Sequence, residues 1–220
     1  MRIGEFRPLP RDGAGHARTA VLRSDAVDQL SFFSAEARHP RIADLAGLLC
    51  GPGQAVGFGR GTAARLSVVV DDAWRARSLV LACADRGVDA ELGRSDEGRP
   101  LVRTAFRADL TELARHWLRG AVKSVPADFA PDGCALRLWA LTAGRLEPGG
   151  YLLGLDPHAP ETHEPLVAAL ARSGLPARFI GARAGGPALR VTGKRRIARL
   201  AELVGPVPDG AIERTWPLVS

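Results

Sequence analysis

The sequence predicts an α+β protein in which one supersecondary unit is used twice. Residues Leu45-Ala46-Gly47-Leu48-Leu49-Cys50-Gly51-Pro52-Gly53 form an apolar helical segment that runs straight into a Gly/Pro stop. A fainter echo returns as Leu138-Trp139-Ala140-Leu141-Thr142-Ala143-Gly144. Each copy is followed by strand, helix, strand-turn-strand and helix patterns in the same order. A twice-used unit implies pseudo-symmetry, and the residues at the two helix ends then decide what chemistry is open to it.

Residues 1–23 are rich in Pro, Gly and Arg without periodicity, which reads as an extended lead-in. Ser24 caps a short amphipathic helix with Asp25 and Asp28 in its first turn and Leu30, Phe32 and Phe33 beyond. Pro40 opens the first repeated helix, where a missing N–H is harmless; Ile42, Leu45, Leu48 and Leu49 then follow at helical spacing. In 64–70, Leu66, Val68 and Val70 alternate with Arg65, Ser67 and Val69, the pattern of a half-buried strand. Asp71 and Asp72 cap a helix carrying Trp74, Leu79, Val80 and Cys83 that ends near Gly87. A hairpin of 88–92 and 101–106 turns at Asp96-Glu97-Gly98, and 109–118 is helical.

The second pass has shorter strands. Asp132 starts a helix through Leu138, Trp139 and Leu141, and Pro148-Gly149-Gly150 turns into a strand over 151–155. Glu161, Glu164 and Pro165 open a helix closed by Gly174, a hairpin of 177–182 and 188–192 crosses Gly185-Gly186-Pro187, and 194–204 is the last helix. This divides the chain into the lead-in 1–23, a first repeat with its preceding helix over 24–122, a linker at 123–131, a second repeat over 132–205 and a tail at 206–220.

At 220 residues, 46% hydrophobic and 25% charged, the chain is long enough to bury a real core. Its start lacks the apolar stretch of a signal peptide, and no run approaches the roughly 20 residues that span a bilayer. The expectation is a cytoplasmic, non-membrane protein. The three cysteines, Cys50, Cys83 and Cys134, sit far apart among apolar residues and read as small buried side chains, not disulfides or a zinc site. The net charge of +6 and pI near 10.2 suit a polyanion partner. Only Lys123 and Lys194 are lysines, however, and an arginine-, alanine- and glycine-rich composition is also what a GC-rich genome imposes. Placement of charge has to carry the argument.

The leading helix ending in small residues, followed by ββαββα, resembles the LAGLIDADG fold of homing endonucleases. Leu45-Ala46-Gly47-Leu48-Leu49 matches the first five letters of that motif. Trp139-Ala140-Leu141-Thr142-Ala143-Gly144-Arg145-Leu146-Glu147-Pro148-Gly149 resembles the corresponding segment of WhiA-type sporulation and cell-division regulators, as do 168–174 with Pro176-Ala177-Arg178, and Lys123-Ser124-Val125-Pro126. The resemblance covers roughly 25–205. It implies a saddle in which two leading helices pack side by side and two sheets form a concave surface able to straddle a duplex. In the nucleases each leading helix ends in a carboxylate that holds divalent metal for phosphodiester cleavage. Pro52 and Ala143 stand at those places here, and Asp44 lies two turns upstream, so the resemblance implies a fold without nuclease chemistry, no cofactor and no metal. WhiA-type proteins also carry a C-terminal helix-turn-helix; the expectation is that this sequence stops before one, with a separate protein supplying it as a possible partner.

Charge placement points the same way. Between Glu164 and Glu202 there is no carboxylate, while Arg172, Arg178, Arg183, Arg190, Lys194, Arg195, Arg196 and Arg199 all fall there. Lys194-Arg195-Arg196 opens a helix, where positive charge opposes the helix dipole unless a phosphate backbone rewards it. In the first repeat, Asp89 and Glu91 point outward and repel phosphate, partly offset by Arg65 and Arg103. The expected duplex-DNA contacts are therefore Arg65, Arg103, Arg178, Arg183, Arg190, Lys194, Arg195 and Arg196, weighted to the second repeat. Gly57-Phe58-Gly59-Arg60-Gly61-Thr62 lacks the Lys-Ser/Thr of a P-loop and reads as a turn. His158, Glu161, His163 and Glu164, interleaved with prolines, read as a loop and helix start with no metal geometry. No nucleophile elbow is present. The sequence thus predicts a monomeric, non-enzymatic DNA-binding regulator associated with the nucleoid. The alternative is an interaction scaffold without DNA affinity of its own, suggested by the non-alternating strand Tyr151-Leu152-Leu153.

Overall fold

The structure, a computed structural model, describes residues 34–181, 185–212 and 215–217. The expected lead-in and the helix from Ser24 lie outside the described residues. Two four-stranded antiparallel sheets of identical topology flank a pair of helices. A 3-10 turn at Ile42–Leu45 leads into α1 (Ala46–Cys50), which Gly51 ends in extended conformation. Then come β1 (Gln54–Phe58), β2 (Ala63–Val69), α2 (Ala73–Ala84), β3 (Ala90–Arg94), β4 (Pro100–Thr104) and α3 (Thr111–Trp117). A small hairpin, β5 (Leu118–Arg119) with β6 (Val122–Lys123), closes the first half. The second half contains α4 (Gly133–Ala143), β7 (Gly144–Glu147), β8 (Gly150–Gly154), α5 (His163–Arg172), β9 (Arg178–Ile180), β10 (Ala188–Val191) and α6 (Lys194–Val204). Strand order is β1-β2-β4-β3 in one sheet and β7-β8-β10-β9 in the other. This is the α+β, two-repeat arrangement expected from the sequence.

The physical reasons are local where the sequence was readable. Leu66, Val68 and Val70 are buried while Arg65, Ser67 and Val69 are half-exposed, so β2 lays one face on the helices. Asp132 caps α4 with its carboxylate accepting from the Ala135 N–H at 3.0 Å. Asp72 holds the N-cap position of α2, yet its side chain takes the Arg75 Nε at 3.2 Å instead of a helix N–H. Leu189 and Val191 are buried and Arg190 faces outward, as strand alternation requires.

α1 and α4 pack at backbone range because Gly47 carries no side chain: a Cβ there would run into the Ala135 carbonyl oxygen and come within 2.7 Å of the Leu138 Cβ. At their N-terminal ends, Asp44 and Asp132 are bound by arginines. Arg38 reaches Asp132 at 2.7 Å, Arg41 reaches it at 3.3 Å, and Arg86 reaches Asp44 at 3.1 Å. Cys134 lies beside this pair, but the carboxylates already serve guanidinium and backbone donors, so the trio is an ion-pair clamp.

Tyr151, Leu152 and Leu153 are all buried, so the strand is core and offers no sticky surface. Tyr151 and Leu153 face the helices, and Leu152 is covered on the opposite face. The tail packs too. Trp216 is buried, donates its indole N–H to the Gly205 carbonyl at 2.9 Å, and lies 5.1 Å from the Arg137 guanidinium. Among the described residues no helix is long and apolar enough to cross a membrane.

Candidate functional site

The two leading helices end together at the floor of a cleft of about 570 Å³, lined among others by Pro52, Gln54, Thr142, Ala143, Arg145 and Asp156. Each end carries a protein cation. The Lys123 ammonium, at the end of β6, donates to the carbonyls of Gly51 and Gly53 at 2.7 and 2.8 Å and to Asp156 Oδ2 at 3.1 Å. The Arg75 guanidinium, from α2, donates to the Ala140 and Leu141 carbonyls at 2.9 Å each and to Gly144 O at 2.5 Å. Arg75 binds carbonyls in the last turn of α4 and Lys123 those of the turn just past α1, and both sit at the negative end of a helix dipole. Burial pulls the Lys123 pKa down from the usual lysine range, and the Asp156 carboxylate partly restores it. Gln54 Nε2 shares Asp156 Oδ2 at 2.5 Å, and the His158 N–H takes Oδ1 at 2.9 Å.

These residues do not fit a divalent cation. Pro52 and Ala143 offer no side-chain oxygen, both Asp156 oxygens are already accepting, and two buried positive groups face the helix ends. Hard dications need several free oxygens and repel ammonium and guanidinium neighbours. His163 spends its Nε2 within 2.8 Å of the Asp156 carbonyl oxygen and packs against Phe179.

The outer sheet faces supply the wider surface. Directly paired residues in antiparallel strands point to the same face. In the first sheet one such row reads Gln54, Ser67, Arg103, Glu91. The row in the second sheet that starts one residue after Gly144, as Gln54 follows Gly53, reads Arg145, Leu152, Arg190, Arg178. Position by position, Gln54 corresponds to Arg145 and Glu91 to Arg178. The first row nets to zero formal charge and the second is cationic over a buried leucine.

One acid tempers the second row. Glu147 accepts from Arg145 at 2.9 Å and from Arg190 at 3.2 Å. The carboxylate-free interval of the sequence therefore does not stay carboxylate-free in space. Arg178 is exposed at the β9 edge, and Lys194, Arg195 and Arg196 are exposed at the outer rim where α6 begins. In the first repeat Arg103 is exposed between Ser67 and Glu91, and Arg65 lies over the Phe106 ring at 4.7 Å. Arg183 falls outside the described residues. The fold thus places Arg145, Arg190 and Arg178 in one row, with Lys194–Arg196 on the adjoining rim and Arg65 and Arg103 on the other sheet. Arg145, Lys123 and Arg75 escaped notice as site residues. For Arg145 a signal existed, since Arg145-Leu146-Glu147 alternates directly after the helix.

Among solved structures, the homing endonuclease I-WcaI bound to its DNA recognition sequence is matched with a TM-score of 0.53, at 12% identity over 78% of this chain and 84% of that one. The chain has the LAGLIDADG homing-endonuclease fold. Full-length DUF199/WhiA from Thermatoga maritima aligns with a TM-score of 0.49 and 15% identity, over 76% of this chain and 55% of that chain. The N-terminal LAGLIDADG domain of DUF199/WhiA aligns with a TM-score of 0.46 and 16% identity, over 76% of this chain and 82% of that chain. No family profile matches the sequence, and no curated protein sequence matches it.

Proposed function

We propose that this protein is a non-catalytic, DNA-binding regulator that holds duplex DNA against the outer faces of its two sheets, with most phosphate contact on the second repeat. The observation that carries the reading is the Arg145–Arg190–Arg178 row, continued on the rim by Lys194, Arg195 and Arg196. Several guanidinium groups on one face of a regular sheet, with a single carboxylate, Glu147, among them, suit the repeating charge of a phosphate backbone. Arg65 and Arg103 add weaker contact from the first repeat, where Glu91 opposes it.

The helix ends support the non-catalytic reading. Lys123 and Arg75 satisfy electrostatically what a bound dication would, and Pro52 and Ala143 supply no ligand. Without cleavage, occupancy of DNA is the remaining output, which is how a regulator at the nucleoid works. A chain with an internal pseudo-two-fold needs no second copy to cover both sides of a duplex, so we read it as a monomer. Among the described residues no recognition helix faces outward from the sheets, so sequence preference should be weak and a helix-turn-helix partner would supply it.

The test is a fluorescence-anisotropy titration of a labelled duplex. Reversing Lys194, Arg195 and Arg196 together to Glu should weaken binding by at least about tenfold. Unchanged affinity would remove the charge argument. A wild-type chain with no affinity for DNA, yet co-purifying with a helix-turn-helix protein, would replace this reading with the scaffold one.

A further inference from the structure

The first sheet presents something that duplex backbone contact does not use. Phe58 and Phe106 lie 63% and 40% exposed, with ring centroids 5.2 Å apart and planes tilted by 43°. Phe58 pairs with Ala63 on the same outward face as Val56 and Arg65, in the face that also carries Gln54 and Ser67. Phe106 is held there by a two-way backbone bridge between Ala64 and Arg107, at 2.9 and 2.8 Å. The backbone beside Phe106 is thus tied to β2, and the pair shares the DNA-facing surface proposed above. Phosphates are met by cations and N–H donors, and exposed aromatic faces give a paired duplex nothing to stack on.

Unpaired bases do have such a use. Aromatic side chains stack on the π-face of any base, and adjacent arginines take the phosphates of the same strand. Both parts are here. Arg65, half-buried, lies 4.7 Å above the Phe106 ring, and Arg60 stands exposed in the turn after Phe58. Cations flanking an aromatic pair match an anionic strand with bare bases better than an apolar protein surface, which would leave those charges unmatched.

We infer that the Phe58–Phe106 pair is a stacking site for unpaired bases, so that the protein engages a junction, with duplex on the arginine row of the second repeat and a single-stranded extension on the first. The inference rests on the DNA-binding reading above. It accounts for the opposite chemistry of the two sheets: the second is built for backbone and the first for bases.

Labelled DNA is titrated in three forms, a blunt duplex, the same duplex with a single-stranded overhang, and the overhang strand alone. Wild-type protein should bind the overhang duplex about tenfold more tightly than the blunt one. Phe58→Ala/Phe106→Ala should bind both forms as wild type binds the blunt duplex, since neither ring supports the core. Equal wild-type affinity for blunt and overhang duplexes, or a preference that survives the double substitution, overturns the inference and assigns the patch to a protein contact. No affinity for any form overturns the DNA reading itself, a distinguishable result. Phe58→Trp gives an independent readout, because the native Trp74, Trp117, Trp139 and Trp216 are all buried. Its emission should be quenched by the overhang duplex and not by the blunt one; no quenching by the overhang counts against stacking.

Discussion

Lys123 shows how one side chain can fix the character of a site. Its ammonium joins the end of the first leading helix to Asp156 of the second repeat, and both partners are buried. A buried pair of this kind contributes modestly to stability as a pair, but removing one member strands the other charge. Lys123→Met should lower unfolding free energy by about 3 kcal/mol in urea titration, because Asp156 and two carbonyls lose their donor. Adding Asp156→Asn should cost less than the two single changes summed. Strict additivity would mean that the pair is not coupled. Nothing in the local sequence announces this residue: its partners lie 72, 70 and 33 positions away. The same holds for Glu147 and Arg190, 43 apart, which the sequence reads as unrelated. Cysteine was more legible, because an apolar neighbourhood is visible in the chain itself. All three cysteines are buried, and burial pushes the Cys83 thiol up to about 11 against a weaker opposing effect of Arg86.

At the level of elements, legibility followed the range of the forces involved. The last helix, 194–204, and the Asp132 cap were readable because period and capping are written within one turn of chain. β1 was not, since Gln54–Phe58 is a mostly exposed edge strand with no alternation, and β7 is too short to show a period. Both exist because β2 and β8 pair with them. The α1–α4 contact was implied by the small-residue motif, and its tightness depends on one missing methyl. Gly47→Leu should destabilise by about 3 kcal/mol or more, through displacement of α4 at Ala135 and Leu138. Gly57→Ala is the matched control: a Cβ there meets nothing within 4 Å, and the change should stay within about 0.5 kcal/mol. Chemical denaturation of both variants checks the contrast, and a tolerated Gly47→Leu would mean that the helices do not need backbone contact.

The whole molecule is symmetric in topology and asymmetric in charge, and the asymmetry is the part that bears on function. Two sheets of the same strand order place Arg103 and Arg190 at corresponding positions, yet Arg103 faces Glu91 where Arg190 faces Arg178. A carboxylate directly across the strand pair offsets the Arg103 charge, whereas Arg178 adds a second charge beside Arg190 that Glu147, already shared between Arg145 and Arg190, leaves for a polyanion. Counterion release turns that difference into a measurable slope, since each lost phosphate contact lowers the dependence of log affinity on log salt by about one. Arg178→Gln should therefore flatten the salt dependence by about one and weaken duplex binding at low salt, while Arg103→Gln should leave both nearly unchanged. Titrating the two variants side by side across a salt series separates the possibilities. Equal losses would mean that DNA lies evenly over both repeats and that Glu91 is not felt by it. A loss confined to Arg178 would mean that the repeats, though copies in fold, have divided the surface between them.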